Sequence, residues 1–109
     1  MAGIRQGDRL PIRGTLTGVI MVLEPLVVKE LGPGGAAIET RFPLALNSLH
    51  DLRLPLGGDA VVVKARVVHS HIGEIGDDTL WYRSGVEFVE PPAYVVAAVL
   101  QYLEGLKGA

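Results

Sequence analysis

Two arginines four residues apart, in Arg5-Gln6-Gly7-Asp8-Arg9, precede a glycine-rich turn, Lys29-Glu30-Leu31-Gly32-Pro33-Gly34-Gly35-Ala36. Guanidinium groups pair bidentately with phosphate and other anions. Turn glycines are expected to take φ > 0, where side chains are resisted, and to leave backbone N–H groups bare for an anion. Glu30, at the head of the turn, adds a carboxylate that accepts from N–H donors. Together these groups suit a local anion site. Arg9 and Arg13 repeat the same spacing, so two registers are open at this point.

A second candidate is His69-Ser70-His71. Residues two apart share one face of a strand, so the imidazoles can meet a metal there, with Glu74, Asp77 or Asp78 nearby. The ordinary reading, two edge residues at a strand end, is preferred, and no metal ligand is assigned. No Ser–His–Asp set or paired-carboxylate pattern stands out, so no catalytic residue is assigned and an enzyme is not expected.

Composition sets the frame for these groups. The 109 residues suffice for one domain with a real core. With 49% hydrophobic and 20% charged residues the chain is built to fold. A net charge of −2 gives no global field for nucleic acid or an anionic membrane, so anion binding must be local. The absence of cysteine excludes disulfides and thiolate metal sites. No signal-peptide core opens the chain, and its longest apolar runs are far too short to span a bilayer. A cytoplasmic protein is expected, with no membrane insertion.

The elements that must position the arginines and the turn are mostly strands. Residues 1–9 are polar and read as a flexible arm. Residues 15–23, 26–30 and 36–40 carry β-type runs, the first ended by Glu24-Pro25 and the last two joined through the glycine turn. Gly18 marks a bulge or a close backbone approach. Residues 41–48 read as a loop tucking Phe42, Leu44 and Leu46 over the core. Residues 51–56 alternate as a half-buried strand, Gly57-Gly58-Asp59 forms a hairpin turn, and residues 60–69 form the strongest strand. A turn over residues 73–78 leads to a strand over residues 80–89, in which either Trp81 or Tyr82 fills the core. After Pro91-Pro92, the apolar residues Val95, Val96, Val99, Leu100, Leu103 and Leu106 follow helical spacing. The pattern predicts a mainly β fold: a small antiparallel barrel of six to seven strands over residues 10–90, and one C-terminal helix over residues 92–107.

With these elements in place, the chain resembles the PilZ domain family, small β-barrel receptors for bacterial cyclic di-GMP. Arg5-Gln6-Gly7-Asp8-Arg9 is similar to the family's Arg-x-x-x-Arg arm, and the resemblance selects it over Arg9 and Arg13, which stand closer to Glu30 than the family's usual gap. The apolar-Pro-apolar step follows as Leu10-Pro11-Ile12, and Glu30-Leu31-Gly32-Pro33-Gly34-Gly35-Ala36 stands where the family has Asp/Asn-x-Ser-x-x-Gly. Residues 65–69 and 85–88 and the terminal helix resemble its later elements. The second motif is degenerate: Glu30 replaces Asp or Asn, adding a methylene, and Gly32 replaces Ser, removing a hydroxyl. The resemblance implies a cyclic di-GMP-binding receptor or adaptor using Arg5, Arg9, Glu30, Gly32, Gly34 and Gly35, whose arm closes over the ligand and changes contact with an unidentified protein partner. The alternative it implies is a protein-interaction module that binds no nucleotide. It implies neither a cofactor nor a nucleic acid polymer as partner, and a homodimer is compatible with it.

Overall fold

The computed structural model describes residues 3–20, 24–58, 60–76 and 79–107. Seven strands precede one helix: β1 Leu10–Pro11, β2 Thr17–Ile20, β3 Glu24–Gly32, β4 Gly35–Thr40, β5 Leu49–Pro55, β6 Ala60–Ile75, β7 Leu80–Phe88 and α1 Ala93–Lys107. The sheet order is β1-β3-β2-β5-β6-β7-β4, and β4 also pairs with β3, so the sheet curls back on itself into a barrel-like form. All of these pairings are antiparallel.

Alternation drives the inward face. Leu52, Leu54 and Leu56, then Val61, Val63, Ala65 and Val67, are buried at every second position. Helix α1 closes the barrel with Val95, Val99 and Leu103, spaced one turn apart and buried. It starts where the Pro92 carbonyl accepts from the Val95 and Val96 N–H groups. Leu106, expected on that apolar face, is exposed.

Several local expectations are corrected. Glu24 and Pro25 do not end a strand; they begin β3, paired with Ile20 and Val19. A proline is tolerated at a strand start, where its missing N–H matters least. Gly18 sits in regular register, and its lack of a β-carbon serves a close approach, because one would lie 2.6 Å from the Arg53 carbonyl oxygen. Leu44 is buried as expected, but Leu46 faces solvent. Strand β6 runs through Gly73 to Ile75, and the Gly76 N–H donates to the Thr79 carbonyl at 2.8 Å beyond it. Past the end of the core Ile72 and Ile75 are exposed, and the alternation that marks a buried strand disappears. Trp81 and Tyr82 are both half-buried rather than one filling the core, and the Arg41 guanidinium lies over Trp81, 5.6 Å from its ring centre.

Candidate functional site

The segment between the two arginines is tied down at both ends. Ile4 and Leu10 pack against the core cluster, so the intervening residues must run across the barrel surface. They fold into a turn in which the Asp8 N–H donates to the Arg5 carbonyl at 3.0 Å and the Asp8 carboxylate accepts from the Arg5 N–H at 2.8 Å. Next, β1 pairs with the end of β3, placing Leu10 opposite Leu31 and Pro11 opposite Glu30. The sequence therefore lays Gln6, Asp8 and Arg9 directly on the β3–β4 hairpin.

The glycines of that hairpin are there for this contact. None of Gly32, Gly34 and Gly35 is in the left-handed region, which holds Gly14, Gly57 and Gly58 among the described glycines. The expected positive φ is thus corrected. The two-residue loop is Pro33-Gly34, and proline fixes φ near −65°, which excludes the turn types that open with a left-handed residue. What glycine supplies is room. A β-carbon on residue 32 would overlap the Asp8 carbonyl, and one on residue 34 would lie 2.7 Å from the Gln6 carbonyl oxygen. One on residue 35 would lie 2.9 Å from Arg9 Nη2 and would overlap the Val86 carbonyl oxygen. Arg9 Nη2 donates to that same Val86 carbonyl at 3.2 Å.

Beside this contact lies a cavity of about 360 Å³ lined by Gln6, Gly7, Arg9, Gly34, Gly35, Glu87 and Phe88. Of the residues assigned from sequence, Arg9, Gly34 and Gly35 line it, while Gly32 lies under Asp8. Arg5 is exposed in the turn. Glu30 lies further along the same outer face of the sheet. A bulge between Val28 and Glu30 sets Glu30 opposite Ala37. Without that extra residue, strand alternation from buried Val28 would turn Glu30 into the core. Its carboxylate meets Arg83 Nη2 at 3.4 Å.

The row continues across the sheet from Ala37 to Gly85 and on to His69. A second bulge, between Val67 and His69, stands at the same level and brings His69 to the outer face. The His69 ring occupies the space a β-carbon on Gly85 would need, and it stacks on His71 with centroids 6.1 Å apart. Among the described residues no group of three or more His, Cys, Asp or Glu is arranged to hold a metal. The carboxylates first considered alongside this pair lie outside the described residues, apart from the backbone of Glu74.

Sequence reading missed Arg83, Gln6, Glu87 and Phe88. Arg83 and the cavity wall from β7 reach the site because β7 pairs with β4 from Gly35↔Glu87 to Thr40↔Tyr82. That partnership joins strands far apart in the chain, and no turn between them announces it.

The family model for the PilZ domain matches residues 4–105, and the chain belongs to that family of regulatory cyclic di-GMP receptor and protein-interaction domains. Among solved structures it is similar to the PilZ domain with c-di-GMP of YcgR from Escherichia coli. That match has 13% identity and a TM-score of 0.73, covering 95% of this chain and 92% of the other. It is also similar to the inhibitor of motility MotI/DgrA of Bacillus subtilis, at 19% identity and a TM-score of 0.70. Here 96% of this chain matches 52% of the other, so the chain spans about half of that protein. At these identities the likeness is one of fold. No curated protein matches the chain. No helix among the described residues is long and apolar enough to cross a membrane.

Proposed function

We propose that this chain is a cyclic di-GMP receptor domain acting in the bacterial cytoplasm, with Arg5 and Arg9 on the arm and Glu30 and the Gly32–Gly35 hairpin on the barrel as its ligand-binding groups. The observation that carries the reading is Arg9: its guanidinium lies on the hairpin and lines a cavity with Gly34 and Gly35. A guanidinium with unspent donors beside bare backbone suits a phosphodiester or a guanine edge. Ligand contact with Arg5 and Arg9 would reset the arm, and a partner protein would read the changed surface.

Titration calorimetry with cyclic di-GMP tests this. Wild type is expected to give a saturable heat, and Arg9→Ala to bind about 10- to 150-fold more weakly, the equivalent of one charge-assisted hydrogen bond at about 1.5–3 kcal/mol. No saturable heat for wild type at high micromolar ligand would end the receptor reading.

One observation favours the second reading, a protein-interaction module that needs no nucleotide. The arm is held on the hairpin by contacts within this chain, with the Asp8 carbonyl in the space where a side chain at position 32 would stand. Under that reading cyclic di-GMP produces no thermal stabilisation, whereas a native-state ligand at about 100 times its Kd contributes about 2.7 kcal/mol.

A further inference from the structure

The receptor reading leaves Arg83 without a role, although it is the cation paired with Glu30. Both side chains remain accessible, at 32% exposure for Arg83 and 40% for Glu30. Their 3.4 Å separation exceeds the roughly 2.7–2.9 Å of a tight charge-assisted hydrogen bond. The pair is therefore loose, and among the described residues Arg83, with five N–H donors, makes no other ion pair.

Register explains why the two groups stand together facing solvent. Arg83 is on β7 opposite Glu39 of β4, and Gly85, one step along the same face, is opposite Ala37. Ala37 in turn faces Glu30 through the bulge. The row between them consists of Ala37 and Gly85, with the His69 ring lying over Gly85 and Glu39 opposite Arg83, and both side chains of the pair stay partly exposed. An acceptor and a forked donor thus stand side by side, both partly open to solvent.

Guanine has the complementary order of groups along its rim. Its N1–H and N2–H₂ donate, and the adjoining O6 and N7 accept. We propose that Glu30 and Arg83 together read one guanine of the ligand, Glu30 taking the N–H edge and Arg83 the O6/N7 edge, with Arg83 the residue that sets guanine over adenine. This inference rests on the receptor reading above. Adenine would place its N6–H₂ donor where guanine has O6, opposing donors of Arg83 with a donor of its own. The extra methylene of Glu30 then has a use, since it carries the carboxylate out to the position where Arg83 can flank it.

The experiment is calorimetry of wild type, Arg83→Met and Arg83→Lys, each against cyclic di-GMP and cyclic di-AMP. Wild type is expected to prefer cyclic di-GMP. Arg83→Met keeps the apolar stem and removes the fork, and should lose about 5- to 150-fold in cyclic di-GMP affinity, the usual discrimination of a bidentate base contact. Its affinity for cyclic di-AMP should barely move, so the preference collapses. Arg83→Lys retains the charge and the ion pair without the fork; it is expected to fold as wild type and still lose most of the preference. A purely structural Arg83 would weaken both nucleotides equally, and an unchanged ratio in Arg83→Lys overturns the assignment. Wild type that binds cyclic di-GMP with an unchanged ratio in the variants removes only the role of Arg83. Wild type that binds neither nucleotide removes the receptor reading and the guanine assignment together.

Discussion

Adding one methyl group at position 32 should lift the arm from the barrel. In Gly32→Ala the new β-carbon would coincide with the Asp8 carbonyl, a backbone group that cannot rotate aside as a side-chain tip can. Strand β3 is held by β1, β2 and β4, so the arm must yield rather than the strand. What is lost with it is chiefly the Arg9 hydrogen bond to the part-buried Val86 carbonyl. A charge-assisted bond of this kind is worth about 1.5–3 kcal/mol, or about a 10- to 150-fold shift in the equilibrium between docked and free arm. Hydrogen exchange at the Asp8 amide, which donates within the arm turn, should accelerate by that factor, while amides of β6 keep their protection. Trypsin should cut more readily after Arg5 and Arg9, because cleavage follows the population of the open form when opening is fast. Gly3→Ala, with nothing within 4 Å of the new carbon, is the matched control. If Gly32→Ala and Gly3→Ala gave the same arm protection, the contact at Gly32 would not be what closes the arm.

Other perturbations follow from the same geometry. Leu103→Ala empties a fully buried site under α1 and should cost about 2–5 kcal/mol in urea unfolding. Glu87→Gln breaks an ion pair with Arg66 whose side chains are about half exposed, so its effect should stay under about 1 kcal/mol in the same assay. Gly105→Ala, in α1 with open space around the new carbon, should raise stability by about 0.5–1 kcal/mol, seen as a higher urea midpoint.

How far the fold could be read from sequence depended on whether a residue had the core on one side. Residues 60–67 alternate cleanly because β6 lies over the core there, and the helix was legible because Val95, Val99 and Leu103 all meet that core. Where the core stops the signal stops, which is why the β6–β7 hairpin looked like a turn from Gly73 onward. The site was half legible for a different reason. Arginine spacing and glycine content are local properties, so the arm and the hairpin could be proposed as partners. The β4–β7 pairing that delivers Arg83 and Glu87 is non-local, and bulges depend on register, which adjacent residues do not encode. The glycines were noticed for the wrong physical cause: their value lies in closeness to the arm rather than in positive φ.

The two positions where the chain leaves its family's pattern can now be considered together. Taken from sequence, Glu30 and Gly32 read as two independent losses, a misplaced carboxylate and a missing hydroxyl. In the fold each has a counterpart elsewhere in this chain. Gly32 admits the Asp8 carbonyl, which a serine β-carbon would exclude, and Glu30 reaches the Arg83 guanidinium. Loss without compensation would leave a gap over residue 32 and an unpaired carboxylate at residue 30; neither occurs. The substitutions instead shift contacts from the hairpin side chain to the arm backbone and to β7. It follows that restoring the family residues one at a time should not improve the domain. Gly32→Ser alone should open the arm as Gly32→Ala does, and Glu30→Asp alone should shorten the reach to Arg83. Protease sensitivity of the arm and the affinity for cyclic di-GMP, measured on both single variants, decide the point. A gain in ligand affinity from Gly32→Ser with the arm still protected would show that position 32 had simply lost its hydroxyl.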